Sequence, residues 1–417
     1  MSRIKKIVAR EILDSRGNPT VETEVVLDNG VTAKSSVPSG ASVGKYEAFE
    51  LRDNDRKRYG GMGVLKAIEN VNDIIGPELI GMDAGVQEII DKRMIDLDGT
   101  ENKCRLGANA ILSVSLAVCR AGAKSKGLPL FQYIQKHFNF SRPKLPIPCF
   151  NIFNGGRHAD TNLDFQEFLV IPGQTKKSFR EMVRMGAEIF HMLGKVLREA
   201  GFDTDVGAEG GYAPDMHSSI QAIELILAAG VRAGYNPGKD FGLGIDVGSS
   251  AIYNKKTGKY IFKLDQSNFT GATLTGLYYE WFRKYPLVYL EDGLSEDDFS
   301  GWKELNRELG REMMVVGDDL FATSIHRLRQ GLKEKAANAI IIKPNQAGTL
   351  TETIDCIKLA QSHALKIIIS HRSGETTDDF ISDLAAAAGA DYIKAGSLSR
   401  GERVAKYNRL MEIENKL

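Results

Sequence analysis

From residue 242 to residue 394 the chain repeats one pattern, a short aliphatic run that stops on a single ionisable residue. The six cases are Leu243-Gly-Ile-Asp246, Leu287-Val-Tyr-Leu-Glu291, Met314-Val-Val-Gly-Asp318, Ala339-Ile-Ile-Ile-Lys343, Ile367-Ile-Ile-Ser-His371 and Asp391-Tyr-Ile-Lys394. From Glu291 onward the runs end 23 to 28 residues apart, with helix-like segments such as 348–361 and 376–389 between them. Continuous apolar runs in step with helices read as parallel βα units buried on both faces. Repetition at this interval predicts a closed (βα) barrel, whose active site sits at the C-terminal ends of the strands. The pattern therefore predicts Asp246, Glu291, Asp318, Lys343, His371 and Lys394 around one cavity. A single polar strand end marks only where the chain meets water; six in register, three acidic and then three basic, point to a site.

The first 60 residues carry a different period. Ile4–Leu13 and Thr20–Leu27 are strand-like, the second alternating through Val21, Glu22, Thr23, Glu24 and Val25. Asp28-Asn-Gly30 is a hairpin turn signal, and 31–37 supplies the next strand of an antiparallel meander. Residues 38–44, rich in Gly and Ser, are either a connector or a mobile lid, and taken alone favour the connector. Helical patterns follow at 64–75, 86–97 and 106–124, the last apolar on most faces. This is an α+β order of elements, placed at 1–135. Residues 141–148 are read as a linker, with a barrel domain over 143–417 whose first strand is Cys149–Phe153. Phe165–Ile171, carrying Glu167, is the next strand. Helices are predicted at 179–200 and 219–233, and a hairpin at 253–264. The loop 206–214 holds Glu209 among three glycines that allow close backbone approach to a ligand.

Composition narrows the class. The 417 residues balance 54 basic against 54 acidic side chains, which gives no reason to expect nucleic acid or an anionic membrane as partner. No apolar stretch reaches membrane-spanning length, and the N-terminus lacks the apolar core of a signal peptide. Cys104, Cys119, Cys149 and Cys356 show no paired spacing, as expected of reduced thiols in the cytoplasm.

Three carboxylates without a histidine form a hard oxygen site, suited to Mg²⁺ or Mn²⁺ rather than Zn²⁺. Asp246, Glu291 and Asp318 could share one ion; the alternative is separate surface ion pairs. Lys343 and Lys394 lie beside it. A lysine works as a base only if its pKa falls far below its free value of about 10.4, and a neighbouring dication and a second ammonium both push it down. Such a lysine suits removal of a proton α to a metal-held carboxylate, giving an enediolate that concentrated positive charge makes accessible. A Schiff-base lysine is the competing chemistry, but it needs no three-carboxylate site. Glu167 and Glu209, placed close together, would raise one another's pKa and yield a protonated acid at neutral pH. His371, Arg372 and Ser373 offer donors to a phosphate or carboxylate. Base, metal and acid together describe β-elimination of water.

With these residues in view, the chain resembles the enolase family along its whole length. The stretches that carry the resemblance are Asp14–Glu22, Ser39–Ser42, Arg105–Leu112, Phe165–Phe168, Val206–Pro214, Leu290–Gly293, Gly317–Leu320, the run Ile342-Lys-Pro-Asn-Gln346-Ala-Gly-Thr, and Ser370–Thr376. The resemblance implies reversible dehydration of 2-phospho-D-glycerate to phosphoenolpyruvate in glycolysis and gluconeogenesis. A lysine or histidine base with one or two Mg²⁺ is a known property of that superfamily rather than a deduction from these residues.

On this likeness Lys343 is the base, and Glu209, with Glu167 beside it, the acid for the C3 hydroxide. Asp246, Glu291 and Asp318 hold a first Mg²⁺, and Ser42 reaches a second when the lid closes. Arg372 and Ser373 contact phosphate. Lys394 and His371 bind substrate, and His158 closes over it. The family's fold is a small α+β cap on a modified barrel with one reversed strand near 149–171. The 14–22 stretch resembles a segment near the family's dimer interface, implying a homodimer or a higher multiple of dimers. Departures from the family pattern are Val43, Arg157, Ala208 and Gly248-Ser-Ser250; none removes a position assigned a chemical role.

Overall fold

The computed structural model describes residues 2–40, 44–173 and 177–417. Ser42 and Val43 lie outside these residues. The chain opens with an antiparallel sheet of β1 (Ile4–Leu13), β2 (Pro19–Leu27) and β3 (Thr32–Ser36) in that order. Alternation on β2 sends Val21, Thr23, Val25 and Leu27 inward while Glu22 and Glu24 stay partly exposed. Gly30, at φ +85°, turns the chain between β2 and β3. A helical stretch over 65–79 and α1 (Gln87–Asp98) follow. Next comes α2 (Ala108–Ser125), buried without interruption from Ala108 to Cys119 because it packs on β2, β3 and the helices around it. A third helix, α3 (Leu130–His137), begins directly after Pro129, in a segment for which no element was predicted.

The second part is a closed barrel of eight strands in chain order. They are β4 (Ile147–Asn154), β5 (Glu167–Pro172), β6 (Phe241–Asp246), β7 (Leu287–Glu291), β8 (Met314–Gly317), β9 (Ala339–Ile342), β10 (Lys366–Ser370) and β11 (Tyr392–Lys394). From β6 to β11, and from β11 back to β4, neighbours run parallel; β5 is antiparallel to both β4 and β6. This corrects the uniformly parallel barrel read from the apolar runs, and it matches the reversed strand that the family resemblance implied. Two helices, α4 (Phe179–Glu199) and α5 (Ser219–Arg232), lie between β5 and β6. A main helix then follows each remaining strand: α6 (Gly271–Lys284), α7 (Phe299–Leu309), α8 (Ile325–Glu334), α9 (Leu350–Ser362, preceded by the single helical turn Pro344–Ala347), α10 (Phe380–Ala387) and α11 (Gly401–Glu414). The hairpin after β6 gains a third strand, Ser267–Phe269, beyond the two predicted.

The barrel interior is filled by Cys149, Leu169, Ile171, Tyr289, Val316, Ala339, Ile341, Ile368 and Tyr392, whose strand neighbours turn outward to the helices. The N-terminal sheet reaches the mouth of this barrel. Ser39 and Gly374 exchange backbone hydrogen bonds of 2.7 and 2.8 Å, and the Ser15 amide donates to Glu375 O at 2.7 Å. Arg120 on α2 pairs with Asp378 at 2.7 Å.

Candidate active site

The reversal of β5 decides where Glu167 lies. Glu167 begins its strand, while Asp246 ends β6, and the two are register partners. A reversed strand thus puts its first residue at the mouth where its neighbours put their last. Lys394, the last residue of β11, extends its ammonium into that mouth. It lies 2.9 Å from Asp246 Oδ2, 2.8 Å from Glu291 Oε2 and 3.0 Å from Glu167 Oε2. One buried cation cannot neutralise three buried carboxylates. Burial, together with Asp246, pushes the Glu291 carboxyl up to about 8 despite Lys394. Glu291 Oε1 is buried without a hydrogen-bond partner.

Asp318 follows β8 and Lys343 follows β9, and the two are ion-paired. The Gln346 amide donates to the other oxygen, Asp318 Oδ1, at 3.1 Å. Burial alone would raise Asp318, but Lys343 holds it below the usual range. The converse shift bears on mechanism. Burial draws Lys343 down, yet Asp318 outweighs it and the ammonium is favoured, opposite to the depressed value expected of a base. Asp292 sits at φ +44° and caps the turn after β8: its Oδ1 and Oδ2 accept the amides of Asp318 and Asp319, each at 2.9 Å. Asp319 is raised to about 7, by burial first and then by Asp318.

Among the described residues, two groups place their donor atoms close enough to share an ion: Asp292, Asp318 and Asp319, and His158, Glu167 and Glu209. The predicted trio is split, Asp246 and Glu291 meeting on Lys394 and Asp318 on Lys343. The donor set nevertheless fits a hard dication. Seven of the described cavity residues are acidic against three lysines and arginines. The unpartnered Glu291 Oε1 and the upward shifts of Glu291 and Asp319 all register missing positive charge.

On the opposite wall Glu167 and Glu209 are hydrogen-bonded to each other and divide their titration. Burial pushes Glu167 up to about 7, Lys394 opposing and Glu209 adding to it. Burial would raise Glu209 too, but His158, His371 and Arg403 hold it well below the usual carboxylate range. Burial thus favours the neutral form of Glu167, while the surrounding cations favour the carboxylate of Glu209. Ser373 Oγ donates to Glu209 Oε1 at 2.8 Å and Asn151 Nδ2 to Oε2 at 3.0 Å. His158 Nδ1 stands 3.2 Å from Glu167 and 3.4 Å from Glu209. The sequence expectation was an acid formed by Glu209 with Glu167 beside it, and the two carboxylates lie together here. Gly210, at φ +87°, holds the loop beyond it in a conformation that disfavours a side chain.

Arg372, predicted to bind phosphate, is held by Glu47 at 2.7 Å and Asn345 Oδ1 at 3.1 Å. The carboxylate of Glu47 thus lies where an anionic ligand group would be received. His371 follows β10 and places Nε2 3.6 Å from Glu209. Gly248, one of the departures from the family pattern, sits close against Gln166. At φ +56°, a Cβ there would fall 1.4 Å from Gln166 Nε2, and Gln166 lines the cavity.

Of the residues expected at the site, all but Ser42 are described; all of these line this one cavity except Glu291, which is buried against Lys394. The sequence reading missed Glu47, Asn151, Asp292, Asp319 and Arg403; a polar residue adjoining an already suspected position, as Asp292 and Asp319 do, was the available signal. A wider groove of about 1020 Å³ between loop 156–164 and the hairpin gathers Arg157, Lys255, Lys256 and Lys263 around one carboxylate, Asp164, which the Lys263 and Leu264 amides already occupy. Chemistry rather than size therefore selects the narrow cavity. Among the described residues no helix is long and apolar enough to cross a membrane. The family model for the enolase N-terminal domain matches residues 4–134, and that for the enolase C-terminal TIM barrel domain matches residues 142–417. Matches over nearly the whole chain, on a barrel with this mouth, mean that the chain belongs to the enolase family, a membership that supports lyase-type chemistry.

Proposed function

We propose that the protein catalyses the reversible dehydration of 2-phospho-D-glycerate to phosphoenolpyruvate and water. The observation that carries this reading is that Lys343 and the Glu167–Glu209 pair line one narrow cavity, with Lys343 following β9 and Glu167 opening β5, four strands away in the ring of eight. Elimination of water needs a base at C2 and an acid at C3 on two sides of the substrate. Lys343 takes the C2 proton; the electron pair forms the C2–C3 double bond; the C3–O bond breaks, and the hydroxide leaves as water with the proton that Glu167 and Glu209 share. Lys394 and His371 position the substrate, His158 closes against the Glu pair, and Arg372 with Ser373 receives the phosphate after Glu47 yields the guanidinium.

Asp246, Glu291 and Asp318 are the residues that would hold Mg²⁺, which would supply positive charge at the substrate carboxylate; with Asp318 engaged there, Lys343 would lose the partner that favours its ammonium. Ser42 is the proposed contact to a second Mg²⁺. We further propose that the protein acts in the cytoplasm as a homodimer. All four cysteines are free, and Val8 and Leu13 on β1, next to the 14–22 stretch, are exposed at 39% and 56%. A panel of hydroxy acids with and without phosphate tests the substrate: preference for 2-phosphoglycerate is expected, and faster turnover of an unphosphorylated acid would overturn it.

A further inference from the structure

The residue that ties the two catalytic loops together comes from α11, outside every stretch singled out in the sequence. Arg403, near the start of α11, is wholly buried. A buried guanidinium is costly unless its N–H groups are taken. Its nearest carboxylate, Glu402, is 3.4 Å from Nε, and the two terminal nitrogens turn the other way. Nη1 donates to His371 Nδ1 and, at 2.6 Å, to Arg372 O. Nη2 donates to Ser373 O at 2.6 Å and Ala208 O at 3.1 Å. These carbonyls flank Glu209 on one loop and the proposed phosphate contacts on the other. Gly396 leaves room for the stem, since a Cβ there would lie 2.6 Å from Arg403 Cδ.

A guanidinium only donates and stays protonated in proteins. His371 Nδ1 must therefore accept, which puts the imidazole proton on Nε2, the nitrogen 3.6 Å from Glu209 Oε2. We propose that Arg403 is a positioning residue: it fixes the Nε2–H tautomer of His371 and locks the Glu209 and Arg372–Ser373 loops into one unit. The proposal rests on the reading of the site above. His371 is then a permanent donor toward Glu209 rather than a base. The groups facing it agree. Burial drives its protonation far down, Glu209 opposes, and Arg403, Lys394 and Lys343 reinforce burial. Glu209 stays ionised in part because of the same guanidinium.

The test is nitrogen-15 spectroscopy of histidine-labelled full-length protein without substrate, with His371→Asn to identify the His371 signals. The wild type should show a bare Nδ1 and a protonated Nε2, unchanged across the range in which a free imidazole titrates. Arg403→Met should mix the tautomers or let His371 protonate. It should also cut kcat roughly tenfold or more at little change in KM, as loss of a supporting hydrogen bond does. Arg403→Lys, which keeps one donor, should recover part of both. A protonated Nδ1 in the wild type, or an Arg403→Met spectrum identical to it, overturns the proposal. If Arg403→Met does not fold, the wild-type spectrum and Arg403→Lys decide. The tautomer is read without turnover, so failure of the proposed reaction and failure of this inference are separable.

Discussion

Lys343 and Asp318 are ion-paired across the ends of adjacent barrel strands, so the proposed base and one proposed metal ligand hold each other in the absence of substrate. Lys343→Ala should remove exchange of the substrate C2 proton with solvent by a factor on the order of 10²–10⁴. It should also release Asp318, leaving Mg²⁺ binding measurable by titration calorimetry. Exchange at the wild-type rate would exclude Lys343 as the base.

Glu167 and Glu209 split one titration between them, and the two substitutions should differ. Glu209→Gln removes the acceptor that Ser373 and Asn151 fix and should stall dehydration while C2 exchange persists in part. Glu167→Gln removes the group that carries the proton. Infrared titration of the wild type should show a carboxylic acid signal lost as pH rises through about 7, and one such signal fewer in Glu167→Gln. If exchange and elimination fell together in Glu209→Gln, its separate role in the acid pair would be wrong.

Asp318→Asn removes a charge from the proposed metal set while keeping shape. Metal affinity should fall at least as far as the roughly 10–100-fold typical of losing a supporting group. The Asp292 contacts to the Asp318 and Asp319 amides should keep the turn, but the substitution also takes the buried partner from Lys343, so the melting temperature should fall. An unaltered Mg²⁺ titration would reassign the ligand.

The same carboxylates make metal binding depend on pH. In the metal-free protein Glu291 holds its proton up to about 8. A cation must displace that proton, so affinity should weaken as pH falls through 8, by up to about tenfold per pH unit for each proton displaced. Calorimetry in buffers of different ionisation enthalpy reads the released proton directly. Binding of equal strength on both sides of this range, with no proton released, would contradict the crowding argument.

The strand-end residues were legible because an aliphatic run closing on one ionisable residue is a local signal, and six of them agree. The direction of β5 was not, since the apolar run Phe168–Ile171 looks the same read from either end. Only the family resemblance warned of it. Helix α3 was hidden by the prolines at 129 and 143, although Pro129 stands before its first turn, where proline costs the helix no hydrogen bond. The strand Ser267–Phe269 is too short to carry a period. What the sequence could least supply was distribution of charge. It places Lys394 and Lys343 near carboxylates, but not which carboxylate each lysine neutralises. Hence the expected depression of Lys343 is reversed here by Asp318. Glu47 and Arg403 act across 325 and 195 positions, on Arg372 and on Ala208 respectively, where no local pattern reaches.

The most direct measurement is ultraviolet absorbance after adding 2-phosphoglycerate to the protein with Mg²⁺, followed by excess chelator. The account predicts a rise from the enol product that stops when the chelator is added and resumes on restoring Mg²⁺. A flat trace from folded, Mg²⁺-supplied protein, or a rise indifferent to the chelator, would contradict it.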